Sequence, residues 1–165
     1  MFPRGPLSLP PGGRHWYIVR EIGFPDHDTF MATYAELGDH LDAVLAEHRI
    51  GWDRTVLGGF SQGAVMSYAL GLGDGRPRPA AILAFSGFIP TVKGLELDLP
   101  SRAGLPVSIA HGTLDPVIGV EFGRQAAALL EESGLAVSYH EDPVGHTITP
   151  NGLAQAITVL AGALG

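Results

Sequence analysis

Apolar positions along the chain alternate between two periods. From Phe30 they recur at helical spacing, as Phe30, Tyr34, Leu37, Leu41, Val44 and Leu45, behind Pro25 and the cap candidates Asp26 and Asp28, which predicts an amphipathic helix over Asp28 to His48. A short apolar run, Thr55 to Phe60, then reads as a strand buried on both faces, and Gln62 to Leu72 beyond it is helix-like. Further strands fit Ala80 to Phe85, Pro106 to Ala110 and Ala136 to His140, with a helix over Val120 to Glu132 that stops at Gly134. In the last segment Thr149 can cap a helix, Pro150 suits its first position, and Leu153, Ala156, Ile157, Leu160 and Leu164 make one face.

Strands alternating with helices predict an α/β fold: a mainly parallel sheet with helices on both faces, in a single domain over residues 1–165. The opening stretch Met1 to Gly13 is broken by Pro3, Gly5, Pro6, Pro10, Gly12 and Gly13, so it is expected as a loop outside the core. The long insert from Phe88 to Gly104 follows a strand end, where such sheets place ligands, and is expected to wall a substrate groove.

Composition narrows the chemistry. With 45% hydrophobic and 16% charged residues the 165-residue chain is expected to bury a substantial core. A net charge of −7, with ten scattered Lys and Arg, speaks against nucleic acid or an anionic membrane as partner. No window has the ~20 consecutive apolar residues of a membrane span and the N-terminus lacks the apolar core of a signal peptide, so a cytoplasmic protein without integral membrane contact is expected. The absence of cysteine leaves Ser, Thr, Lys or a carboxylate for covalent catalysis.

Gly59-Phe60-Ser61-Gln62-Gly63 matches the G-x-S-x-G nucleophile elbow, between the strand and the helix that this motif requires. The turn lifts the Ser61 hydroxyl to a helix N-terminus, where the dipole favours a developing anion and the Gln62 N–H is a candidate oxyanion donor. The flanking glycines are expected because a β-carbon at either position would collide with its neighbours. In a chain with 23 glycines such a pentapeptide can also be an accidental turn, so its partners matter. On this fold they follow in the order Ser, acid, His. Asp115, in His111-Gly112-Thr113-Leu114-Asp115-Pro116, and His146, in Val144-Gly145-His146-Thr147, each sit just past a predicted strand. Taken singly, Asp115 before Pro116 reads as a turn former and His146 as a capping or packing residue. Together with Ser61 they form a candidate catalytic triad, with Glu141 and Asp142 as weaker acids because they lie so close to His146 in sequence. His111 is expected to support the turn bearing Asp115, and His140 to lie within the last strand. Neither a metal nor an organic cofactor is called for, since no comparably spaced ligand group such as H-E-x-x-H occurs. Phe60, Phe88, Ile89 and Val117 flank the triad-bearing turns and are expected to line the substrate groove.

Pro3-Arg4-Gly5-Pro6 with Trp16, Gly58-Gly59-Phe60-Ser61-Gln62-Gly63-Ala64, Ser86-Gly87 with Pro90, His111-Gly112 through Asp115-Pro116-Val117, and Gly145-His146 together resemble the phospholipase/carboxylesterase family of α/β-hydrolases, which includes acyl-protein thioesterases and small bacterial esterases. The resemblance implies the triad roles for Ser61, Asp115 and His146 and an acyl ester or thioester as small-molecule substrate. It also implies strands ahead of the segment resembling Met1 to Trp16, with a His-Gly loop that supplies a second oxyanion N–H, so the fold is expected to be N-terminally shortened, with the Thr55 to Phe60 strand at its edge. Either Met1 lies inside a longer protein, or a partner chain covers that edge, as in a homodimer, or the entry segment is rearranged to cover it. The expectation is therefore a serine carboxylesterase or thioesterase acting on short to medium acyl chains. The alternatives are a low-activity or non-catalytic remnant, a peptide hydrolase, and a dienelactone-type hydrolase, disfavoured because its usual Cys nucleophile is missing.

Overall fold

The computed structural model describes residues 1–8, 10 and 12–165. Two short hairpins come first, β1 (Leu7–Ser8) with β2 (Arg14–His15) and β3 (Val19–Glu21) with β4 (Phe24–Pro25), and each pairs only within itself. Then follow α1 (His27–His48), β5 (Val56–Phe60), α2 (Gln62–Leu72), β6 (Ala81–Phe85), β7 (Pro106–Gly112), α3 (Val120–Glu132), β8 (Ala136–Asp142) and α4 (Pro150–Leu164). Strands β5 to β8 form one parallel sheet in sequence order.

Local chemistry sets the helix ends. Asp26 rather than Asp28 caps α1, its carboxylate accepting from the Thr29 N–H, and Arg49 closes the helix in the left-handed region at φ 56°. Thr149 accepts from the Gly152 N–H and Pro150 occupies the first turn of α4. Strands β7 and β8 run two residues beyond the apolar pattern, because the ladder continues through His111↔Glu141 and Gly112↔Asp142.

Helices α1, α2 and α3 cover one sheet face. Ile82, Ala84, Val107 and Ile109 turn toward α2 and α3, where they meet Tyr68, Leu72, Ala127 and Leu130. Phe30, Leu37 and Leu41 of α1 pack with Leu57, Val65 and Met66. The entry segment joins this second cluster through Tyr17, which is 1% exposed. On the other face lies α4 alone, and of the apolar stripe read from the sequence only Ala156 is buried against the sheet. Gly152 and Ala156 are the buried residues of α4, while Leu153, Ile157 and Leu164 stay about half exposed. The helix approaches so closely that a β-carbon on Gly152 would stand 2.8 Å from the Ala110 β-carbon. The large apolar side chains are kept to the flanks of that line of contact, while Gln155 reaches the sheet to bond Ser138 O.

Strand β5 departs from expectation. Read as buried on both faces, it buries only Leu57; Gly58 and Phe60 are exposed. It is the outer strand of the sheet, paired with β6 alone. Ser61 N–H donates to Phe85 O and Thr55 O accepts from Ala80 N–H, so the odd-numbered residues direct their backbone groups at β6. Those of Val56, Gly58 and Phe60 therefore point outward. Among the described residues the entry segment supplies no strand to them. Its first three residues, Met1 to Pro3, only border an apolar groove of about 1130 Å³ along this edge, shared with Leu41, Val44, Leu83 and Leu160.

Candidate active site

Ser61 sits where β5 becomes α2, with φ 54° and ψ −123°, a backbone conformation that L-residues rarely adopt. Gly59 makes this turn possible, since a β-carbon there would fall 2.2 Å from the carbonyl carbon of Gly63. The parallel expectation for Gly63 fails. A β-carbon there would meet only Trp16 Nε1, at an ordinary 3.8 Å, because that side of the turn faces the site and not the sheet. Ser61 N–H donates to Phe85 O, and Ser61 O accepts from Ala64 and Val65. The N–H groups of Gln62 and Gly63 make no hydrogen bond among the described residues, as expected for the first turn of a helix.

Asp115 and His146 are brought together. Asp115 Oδ2 accepts from His146 Nδ1 at 2.7 Å, and Asp115 Oδ1 accepts from the N–H groups of Val117 and Ile118 at 2.8 and 2.9 Å. Their loops are stitched by Thr113 N–H to Asp142 O and Leu114 N–H to Val144 O, an approach that Gly112 permits because a β-carbon there would lie 2.3 Å from Val144 O. Burial works to raise the Asp115 carboxyl, but the bonds from His146, Ile118 and Val117 outweigh it and hold the group below its ordinary value. The His146 ring rests on Phe60, with centroids 4.6 Å apart. Among the described residues no hydrogen bond joins His146 to Ser61; Phe60 connects their positions.

The other acidic candidates are engaged elsewhere. Glu141 accepts two hydrogen bonds from Arg124 and one from Tyr139, and Asp142 binds Thr149, Asn151 and His140. His111, at the end of β7, is buried and donates through Nε2 to Ile118 O at 2.8 Å, bracing the turn that holds Asp115. Among the described residues no three His, Asp or Glu side chains converge as a metal site.

A cavity of about 530 Å³ opens beside Ser61 and Gln62. Of the residues read as groove walls, Phe60, Phe88 and Val117 line it and Ile89 does not. Successive residues diverge here: Phe88 packs with Tyr17 and Phe122 beside the site, while Ile89 turns into the core around Leu72 and Ile82. Beyond Phe88 the long insert is not a wall at all, since Val92 and Leu95 pack under α1. Another part of its wall is the entry segment, Trp16, Tyr17 and Ile18, which the sequence pattern did not assign to the site.

The sequence pattern of the family described as Phospholipase/Carboxylesterase matches residues 2–163. Acyl-protein thioesterase 1 of Debaryomyces hansenii is 31% identical, over 97% of this chain and 74% of that protein. Acyl-protein thioesterase 1 of Candida albicans is 29% identical, over 86% of this chain and 65% of that protein, so the chain spans about two thirds to three quarters of the length of these relatives. Among solved structures, the Bacillus cereus carboxylesterase superposes with a TM-score of 0.83 at 25% identity, over 97% of this chain and 73% of that one. Esterase PE8 superposes with a TM-score of 0.80 at 28% identity, over 98% of this chain and 77% of that one.

Proposed function

We propose that this chain, which belongs to the phospholipase/carboxylesterase family, hydrolyses carboxylic esters or thioesters through an acyl-enzyme on Ser61. The observation that carries the reading is the Asp115–His146 hydrogen bond. With Nδ1 donating to Asp115, the lone pair of His146 is on Nε2, the nitrogen from which a serine proton can be taken. Asp115 is itself fixed by two backbone N–H groups and stays ionised, so it holds both the tautomer and the orientation of the ring.

In the first half-reaction the proton of Ser61 Oγ passes to His146 Nε2 as Oγ bonds to the acyl carbon. The carbonyl oxygen becomes an oxyanion facing the Gln62 N–H at the positive end of α2. Collapse of this intermediate breaks the bond to the alcohol or thiol, which leaves with the proton from His146. Water then repeats the sequence on the acyl-enzyme, losing a proton to His146 and releasing the acid and free Ser61. The missing Ser61–His146 hydrogen bond is compatible with this course, because such contacts are often long before substrate binds. The apolar walls Phe60, Phe88 and Val117 favour acyl chains of short to medium length.

Asp115→Asn tests the reading most directly. The side-chain oxygen would stay with the two backbone donors, which turns the amide N–H₂ toward His146 Nδ1 and moves the imidazole proton to Nε2. A loss of about 10⁴ in kcat on a p-nitrophenyl ester is expected, with labelling by a fluorophosphonate slowed in step. Unchanged turnover would remove Asp115 from the mechanism. The second reading, a remnant with little turnover, is favoured by the uncovered β5 edge next to the nucleophile; silence of the wild-type chain toward the fluorophosphonate would establish it.

A second copy of the chain is the proposed partner at that edge. The outward groups of Val56, Gly58 and Phe60 are self-complementary about Gly58 in an antiparallel pairing, and two-fold assembly is the commonest oligomer symmetry.

A further inference from the structure

Gln62 is the residue whose backbone faces the oxyanion, yet its side chain turns away from the reaction and toward the entry segment. Its Oε1 accepts from the Trp16 N–H at 2.8 Å, and its Nε2 donates to Tyr17 O at 3.1 Å. One planar amide thus satisfies the N–H of one residue and the C=O of the next in a segment about 45 residues away, using one acceptor and one donor. No strand does this work. Three further backbone groups of the segment are likewise held by side chains or turns: Trp16 O accepts from the buried Thr33 hydroxyl at 2.7 Å, Ile18 N–H donates to Thr29 Oγ1 at 3.1 Å, and Ile18 O accepts from Asp26 N–H. Trp16, Tyr17 and Ile18 line the cavity together with Phe88 and Val117. Gln62 is therefore the link, on the nucleophile's side, between the elbow and the wall it faces.

We propose that the Gln62 side chain is a positioning residue that docks the Trp16–Ile18 segment over the nucleophile and thereby sets the acyl-chain preference, separately from the oxyanion role of the Gln62 N–H. The part concerning acyl preference rests on the hydrolase reading above; the docking part does not. A glutamine is required by the chemistry of its two partners. A carboxylate in its place can still accept from Trp16 N–H but cannot donate to Tyr17 O, and it sets two acceptors against each other. Protonation restores the missing donor. Asparagine has the right amide but is one methylene too short to reach both partners from the same backbone position.

The test follows Trp16 itself. The chain has two tryptophans, so in a Trp52→Phe background the emission of Trp16 alone reports docking of the segment. Trp52 packs against α1 and donates to Asp42, away from the cavity beside Ser61. Gln62→Ala and Gln62→Asn are expected to shift that emission to the red and to raise acrylamide quenching severalfold. Gln62→Glu should do the same at neutral pH and reverse on acidification through the ordinary glutamate range near pH ~4.3. On substrates, Gln62→Ala should raise KM for a hexanoyl ester about tenfold, a larger effect than its loss in kcat, and flatten the preference for hexanoyl over acetyl. Trp16 emission unchanged in all three variants would overturn the docking role, whether or not the wild-type chain turns over ester. A shifted emission with KM and chain preference unaltered would overturn the specificity role. If Gln62→Ala fails to fold, the pH-reversible shift in Gln62→Glu carries the decision, and a shift that does not reverse would overturn the proposal.

Discussion

The Phe60 ring stands 4.6 Å from the His146 imidazole, centroid to centroid and tilted by 42°, so the residue before the candidate nucleophile borders the candidate base. Phe60 is also 37% exposed, which makes it both a bearing surface for His146 and part of the cavity wall. Phe60→Ala is expected to lower kcat about tenfold by loosening the imidazole, with a further rise in KM from lost apolar contact. Phe60→Leu should recover most of the KM but less of the kcat. Steady-state kinetics on acetyl and hexanoyl p-nitrophenyl esters would separate the two effects.

Strain at Ser61 gives a prediction independent of any substrate. Its φ of 54° with ψ −123° suits glycine far better than a residue with a β-carbon. Ser61→Ala should abolish turnover with stability near wild type, whereas Ser61→Gly should abolish turnover and stabilise the fold by about 1 kcal/mol. For a chain of this length that is a rise in Tm of about 2–4 °C, readable by calorimetry. A Tm for Ser61→Gly at or below that of Ser61→Ala would show the turn to be unstrained.

Acid stability should depend on the cluster beside the triad. Hydrogen bonds from Arg124, and then from Tyr139, hold the Glu141 carboxyl down at about 2, against an ordinary value of 4.5. Because the folded value is the lower one, the stabilisation is complete above pH 4.5 and disappears as pH falls toward 2. Arg124→Ala should therefore be less stable than wild type at pH 7, and the gap should close between pH 4.5 and 2. Urea unfolding at pH 7, 4 and 2 measures it; a constant gap would mean that Arg124 acts through packing alone.

The outer edge of β5 predicts association. The outward N–H groups of Val56, Gly58 and Phe60 have no partner among the described residues, while those of Leu57 and Gly59 are directed at β6. A dimer is expected by light scattering at micromolar concentration, and Val56→Lys, which places a charge on the edge, should return it to a monomer. A monomeric wild-type chain with fast amide exchange at residues 56, 58 and 60 and slow exchange at 57 and 59 would show the edge to be free.

Much of the fold and the core of the candidate site were legible in the sequence because they depend on local pattern. The apolar pattern placed α2 and α3 closely. Gly59 before Ser61 marked a turn that no residue with a β-carbon at that point could make. The chain order of Ser61, Asp115 and His146, each just past a strand, implied that all three meet at one end of a parallel sheet, since parallel strands bring their C-terminal ends to the same edge. What depends on partners far away in the chain was not legible. Nothing in the run Trp16–Ile18 marks it as a cavity wall, because its position comes from the side chains of Gln62, Thr33 and Thr29 bonding to its backbone. Phe88 and Ile89 are equally apolar, and only the packing of α1 and α2 sends one to the site and the other to the core. The apolar run of β5 announces a strand with two covered faces, but covering a face takes a neighbour, and α4 docks through Gly152 and Ala156 mainly over β6 to β8. Periodicity records which side of an element is apolar; which other element arrives there is decided by tertiary packing.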